Sequence, residues 1–263
     1  MKFSISFGSV LHELDFYERI PAVAEIGYDA IELNPSNADM ERVAKLAAEY
    51  HLHLSACCGY NPKVDHLCSD TAVTRISESI RRLSDVHVEQ LILLTGQRTS
   101  HLDNQKLLII ENLKRLRDTA EKHRIRLLIE PLNSIVNNHG YYLDSMQSAL
   151  EIVAVVDSPF VQTLYDIYHM QIMEGNVLAT LGNNINRIGH IHLAGVPGRH
   201  EPCSGELNMP RIVSSLAGWQ YDRYVGLEYW PEIDTYENVK LEFDRLKAAS
   251  QHPVVLGNEG DQR

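Results

Sequence analysis

Eight times along the chain, a short apolar or β-branched run is followed by a longer stretch with helical spacing. The runs are FSISFG (3–8), AIELN (30–34), HLSACCG (53–59), QLILLTG (90–96), RLLIEPL (126–132), VQTLYDI (161–167), IGHIHLAG (188–195) and YVGLEYW (224–230). Between them, segments such as FYERIPAVAEIG, ADMERVAKLAAEY, AVTRISESIRRLSDV, NQKLLIIENLKRLRDTAEKH and SMQSALEIVAVV place apolar residues three and four apart. That is the period of an amphipathic helix. Strands alternating with helices predict βαβ units and a parallel sheet. Eight units in 263 residues fit a closed (β/α)8 TIM barrel better than an open doubly wound sheet. The phosphate signatures of the open sheet are missing: no GxGxxG follows the first strand, and no GxxxxGK followed by Ser or Thr occurs. The expectation is an α/β protein with one barrel domain over residues 1–263.

Hydrophobic residues make up 44% of the chain and charged residues 22%, which supports a large buried core. Thirty-five acids against 24 bases give a net charge of −11. That balance argues against broad binding to nucleic-acid phosphates. Cys57, Cys58, Cys68 and Cys203 form no CxxC pair and read as free thiols in a reducing, cytoplasmic setting. The opening MKFSISFGSV lacks a signal-peptide core, and no run of about 20 apolar residues suggests a membrane span. The tail beyond Gln251 is rich in polar residues and glycine and reads as disordered at its end.

In a parallel barrel the C-terminal strand ends share one face, and that face carries the chemistry. Strand five supplies Glu130, strand six Asp166, strand seven His192 and strand eight Glu228. Each stands within or just after a strongly apolar run, where an unpaired carboxylate carries a large desolvation penalty. An acid at one strand end is commonly a helix N-cap or an ion-pair partner. Four consecutive strands with ligand-type ends are not explained that way. Three carboxylates and one imidazole suit a single divalent cation, Mn²⁺, Mg²⁺ or Co²⁺, with Zn²⁺ also admissible.

Other residues separate less cleanly. His190 alternates with His192 and shares its face; lying deeper, it reads as a hydrogen-bonded core histidine behind the site. His169, three residues after Asp166, is expected just above the mouth in a functional role. His51 and His53 begin the third strand, show no partner in the sequence and carry no functional reading, and His12 with Glu13 stays open. The loop GVPGRHEPCSGELN (195–208) carries Arg199, Glu201 and Glu206. Loops on this face set specificity, and Arg199 reads equally as a clamp on a substrate oxygen or as a surface ion pair.

IEPLN (129–133), YDIYHMQIMEGN (165–176), IGHIHLAGVPGRHEPCSGELN (188–208) and VGLEYWP (225–231) resemble the hydroxypyruvate isomerase family. That family belongs to the xylose isomerase-like TIM barrels, with ketose 3-epimerases and endonuclease IV as relatives. The resemblance implies that Glu130, Asp166, His192 and Glu228 bind the metal. It implies that Glu130 and Glu228 also transfer protons and that His169 and Arg199 contact substrate. The chain departs from the pattern in three places. His192 stands where hydroxypyruvate isomerases commonly carry glutamine, as in the ketose epimerases. TGQRTS (95–100) lacks the expected lysine, and AGVP (194–197) replaces an ending in an acidic AD dipeptide.

The chemistry expected is carbon-acid chemistry on a small α-hydroxy carbonyl compound. The metal polarises the carbonyl and stabilises an enediolate, while a glutamate moves the proton. Hydroxypyruvate giving 2-hydroxy-3-oxopropanoate is the leading case. The rivals are a ketose 3-epimerase, an isomerase of another short sugar acid, an endonuclease IV-like repair enzyme and a non-catalytic binding barrel. The partners expected are a small-molecule substrate and, in a homo-oligomer, further copies of the chain, with neither nucleic acid nor membrane.

Overall fold

The computed structural model describes residues 1–58, 67–99 and 102–254. Strands β1 (Lys2–Ser6), β2 (Ala30–Leu33), β3 (His53–Cys58), β4 (Val88–Leu93), β5 (Arg126–Ile129), β6 (Val161–Asp166), β7 (Ile188–Leu193) and β8 (Tyr224–Leu227) pair in sequence order. All pairs are parallel, and β8 closes on β1. The expected barrel is present. Every strand ends sooner than its apolar run: the strand-five run continues to residue 132, whereas β5 stops at Ile129. The extra residues are the turns that carry the polar ends. Gly59, Ser100 and the tail from residue 255 fall outside the described residues.

The α-helices are α1 (Arg19–Ile26), α2 (Met40–Glu49), α3 (Asp70–Asp85), α4 (Leu102–His123), α5 (Met146–Val156), α6 (Ile167–Met173), α7 (Val177–Asn184), α8 (Met209–Gly218) and α9 (Tyr236–Ser250), with short 3-10 turns at Pro35–Asn37 and Ile185–Arg187. Short polar side chains start several of them. Asp39, Ser69, Ser145, Asn208 and Thr235 each accept a backbone N–H from the first helical turn, which satisfies a donor that the helix itself cannot. Among the described residues no helix is long and apolar enough to cross a membrane.

Two cores result. The larger lies between the strands and the helices. The smaller fills the lumen with Ala56, Ile92, Leu128 and Leu164, from β3 to β6. The rest of the lumen is polar: Ser4, Glu32, Gln90, His190 and His192 are all buried. Covered on both sides, β7 is buried at all six positions although it carries two histidines.

Register fixes what meets at the top of the barrel. Asp166 lies opposite His192, and His192 opposite Gly226. Gly226 leaves the space that a side chain would close. A Cβ there would lie 2.2 Å from Glu32 Oε1 and 2.9 Å from His190 Nε2, distances at which something must move.

Candidate active site

The four strand-end residues converge. Glu130, Asp166, His192 and Glu228 each offer one ligand atom, and these atoms lie within 4.8 Å of one another. Backbone bonds hold the two glutamates in place just past their strands: Glu130 N donates to Leu93 O at 3.3 Å and Glu228 N to Leu193 O at 3.2 Å. Tyr141 Oη donates to Glu130 O at 3.1 Å and steadies the same turn. Asp166 serves two purposes. One oxygen, Oδ1, caps α6 by accepting from His169 N at 3.2 Å. The other, Oδ2, faces the cluster, 4.0 Å from His192 Nδ1. Asp166 is thus a helix cap whose second oxygen faces the cluster.

His192 presents Nδ1 to the carboxylates, 3.1 Å from Glu228 Oε2 and 3.8 Å from Glu130 Oε1. Yet Nδ1 is buried and makes no aligned hydrogen bond among the described residues. Its other nitrogen, Nε2, lies 2.9 Å from Glu32 Oε2. A buried ring nitrogen aimed at three carboxylates, with no hydrogen bond of its own, is the environment a divalent cation satisfies. The residues present fit such an ion.

The electrostatics agree with close packing of charge. Burial, with Glu228 and Asp166 nearby, pushes the Glu130 carboxyl up to about 7 despite His192. Burial would raise Glu228 as well, but Arg199 and His192 hold it below the usual carboxylate range. Burial would lower His192, but Glu228 and Glu32 reverse the effect and raise it. A proton held among carboxylates in this way is what a metal ion displaces on binding.

Arg199 sits on the cluster as well. Its Nη2 donates to Asp166 Oδ2 at 2.7 Å and to Glu228 Oε2, and its guanidinium carbon lies 5.4 Å from the centre of the Tyr168 ring. Its own carbonyl accepts from Trp230 N at 2.7 Å. The backbone at Arg199 is left-handed, with φ 62°. Of the two readings left open by the sequence, the surface ion pair does not describe it: Arg199 faces inward, onto two carboxylates of the cluster.

His169 is 2% exposed. Asn133 N, which can only donate, points at His169 Nδ1 from 3.0 Å, and Asn133 Nδ2 lies 2.7 Å from the same nitrogen. Nδ1 therefore carries the lone pair and Nε2 the proton. Burial pushes the imidazole down to about 4, and Arg199 adds to this against the opposing pull of Asp166. His169 is thus a neutral donor near the cluster, with Nε2 3.6 Å from Asp166 Oδ2. In ¹⁵N spectra of the purified protein at pH 6, His169 is expected to be neutral with its proton on Nε2. A titration midpoint at or above 6.5 would contradict this assignment. The sign carries over to stability: between about 6.5 and 4 the unfolded chain binds a proton that the folded one refuses, so this group weakens the fold as pH falls through that window.

Four buried residues behind the site have no place in the strand-end pattern: Glu32, Ser4, Gln90 and Asn133. Glu32 accepts from His192, from His190 Nε2 at 3.0 Å and from Ser4 Oγ. His190 Nδ1 lies 2.7 Å from Gln90 Oε1, so His190 sits behind the site as its depth predicts. The signal for Glu32 was present in the sequence: an acid inside AIELN, like the acids of the later strands. Glu201 is 6% exposed and not free on its loop. It accepts from Glu232 N at 3.0 Å and Asn238 Nδ2 at 2.6 Å, tying the loop after β7 to the loop after β8. The Glu206 side chain accepts from Gln171 Nε2 at 3.3 Å and is exposed. His12 Nδ1 pairs with Asp234 at 2.7 Å and His53 Nδ1 with Glu89 at 2.9 Å, both exposed.

Comparison with known proteins places this geometry. Residues 20–249 match the family described as "Xylose isomerase-like TIM barrel". A protein named hydroxypyruvate isomerase, from Escherichia coli (strain K12), is 27% identical over 89% of this chain and 95% of its own length. A 2-oxo-tetronate isomerase from Pectobacterium atrosepticum is 27% identical over 90% of this chain and 95% of its own. A crystal structure described as AP endonuclease, family 2, from Brucella melitensis superposes with a TM-score of 0.82 at 26% identity, covering 90% of this chain and 96% of that one. The chain belongs to the xylose isomerase-like TIM barrel family, and within it to the isomerases.

Proposed function

We propose that this chain is a metal-dependent isomerase of a short α-hydroxy carbonyl acid, with hydroxypyruvate as the leading substrate and 2-oxo-tetronate as the next. One observation carries the reading: on four consecutive strands, three carboxylates surround His192 Nδ1, a buried nitrogen that makes no aligned hydrogen bond among the described residues. Glu130, Asp166, His192 and Glu228 would hold a divalent ion, Mn²⁺ or Mg²⁺, with Co²⁺ or Zn²⁺ as substitutes. The ion would supply Lewis acidity toward the substrate carbonyl and stabilise negative charge as a C–H proton leaves. The remaining work falls to the protein. One of the two glutamates, Glu130 or Glu228, takes the proton from carbon, and a proton returns to the neighbouring carbon. His169 donates from Nε2 to a substrate oxygen. Arg199 supplies a permanent positive charge for a substrate carboxylate or hydroxyl.

The named activities of the two isomerase relatives support a sugar acid over a ketose. The net charge of −11 supports a small molecule over a DNA backbone. The test is turnover of hydroxypyruvate, 2-oxo-tetronate and small ketoses by the purified protein with added Mn²⁺, Mg²⁺ or Co²⁺, followed by NMR in deuterium oxide. Deuterium entering at the former carbonyl carbon, C2 of the product acid, is expected. Exchange confined to C3 of a ketose would mark a 3-epimerase instead.

A further inference from the structure

Behind the four-residue cluster runs a second line of buried polar groups. It begins at His192 Nε2, passes through Glu32 and His190, and ends at Gln90, whose Nε2 donates to Gly189 O at 3.1 Å. Glu32 is 4% exposed, His190 0% and His192 1%. A lumen otherwise plugged by Ala56, Ile92, Leu128 and Leu164 has no need of a carboxylate for packing. Burying one is costly unless its partners use it.

Glu32 uses both oxygens on histidines: Oε2 lies 2.9 Å from His192 Nε2 and Oε1 3.0 Å from His190 Nε2. Ser4 Oγ also donates to Oε1. A carboxylate can only accept, so the His192 proton is fixed on Nε2. The nitrogen left over, Nδ1, is the one aimed at Glu130, Asp166 and Glu228. Space for this arrangement is kept by Gly226 on the adjacent strand, where any Cβ would run into Glu32 Oε1. We propose that Glu32 is a positioning residue for the metal centre: it locks the ring orientation and tautomer of His192 so that Nδ1 serves as the nitrogen ligand. The inference rests on the metal reading given above and adds a residue that the strand-end pattern does not contain. Outer carboxylates of this kind typically change metal affinity about ten- to a hundredfold when altered.

The test is Co²⁺ titration of the full-length protein, followed by absorbance, on wild type and Glu32→Gln. Glutamine keeps the volume but either drops the charge behind the imidazole or turns an N–H toward Nε2. The expected result is one Co²⁺ per chain in wild type and a dissociation constant at least about tenfold higher in Glu32→Gln. Thr163→Val serves as a control, because Thr163 Oγ1 bonds Arg187 O at 3.2 Å in the same barrel, away from His192. It is expected to lower Tm while leaving the Co²⁺ affinity within about twofold of wild type, the range in which surface-distant sites act independently. In the Zn²⁺-loaded wild type, ¹⁵N spectra are expected to show the His192 proton on Nε2. Equal Co²⁺ affinity in wild type and Glu32→Gln, or a His192 proton on Nδ1 with Nε2 on the metal, overturns the role given to Glu32 and leaves the metal reading standing. A wild type that binds no ion overturns both.

Discussion

Replacing Glu130 by glutamine is expected to lower kcat by about a hundred- to ten-thousandfold, the range that general acid–base groups supply, while the barrel stays folded. Glutamine matches glutamate in volume and can still accept a hydrogen bond, so the turn held by Leu93 O and Tyr141 Oη has no reason to move. What is lost is the ability to carry a proton. Glu228→Gln is expected to fall in the same range. The two glutamates are not equivalent: burial raises Glu130 to about 7, whereas Arg199 and His192 keep Glu228 low in spite of burial. These shifts belong to the metal-free protein, because an ion bound at the cluster displaces the proton that Glu130 holds there. Because the pair acts as a unit, the double variant should be little worse than the poorer single one. Steady-state kinetics with far-UV circular dichroism on the three variants would decide this. A Glu228→Gln protein with wild-type kcat would remove that residue from the proton-transfer pair.

Chelation is expected to abolish turnover outright, and Mn²⁺ to restore it. Glu130, Asp166 and Glu228 crowd around one imidazole, and an ion that binds only the folded chain stabilises it by mass action. Treatment with EDTA should therefore lower Tm as well. The size of that loss should depend on pH. In metal-free protein Glu130 keeps its proton up to about 7, whereas an unperturbed glutamate releases it near 4.5. Between those values the folded state binds more protons than the unfolded one, so stability falls as pH rises through the window. A bound ion removes this dependence by displacing the proton. Scanning calorimetry with and without EDTA at pH 5 and pH 8 measures it. Full turnover after exhaustive chelation would exclude the metal from the reaction.

Much of this was legible in the sequence because barrel strands are local. A buried strand reads as an apolar run, and a polar residue at its end stands out against that background. Glu130, Asp166, His192 and Glu228 all carry this signal, and parallel pairing in chain order brings consecutive strands side by side. The lumen was less legible because it is assembled across the barrel. Glu32 meets His190 and His192, 158 and 160 residues away, only because β8 closes on β1 and Gly226 stands aside. No spacing rule links β2 to β7. Loop positions were harder still. Glu201 lies in a Gly- and Pro-rich loop whose pattern assigns it no partner, yet it is buried as a tie to the neighbouring loop. Arg199 reaches Asp166 and Glu228 from a left-handed backbone position, a conformation that sequence pattern does not announce for arginine.

The central claim is that one divalent cation is held by side chains from β5 to β8. The most direct measurement is a crystal of the wild-type protein soaked in Mn²⁺, with anomalous diffraction locating the ion. The account predicts a single peak within bonding distance of Glu130, Asp166, His192 Nδ1 and Glu228. Absence of a peak there, or a peak bound through other residues with these four turned apart, would contradict it.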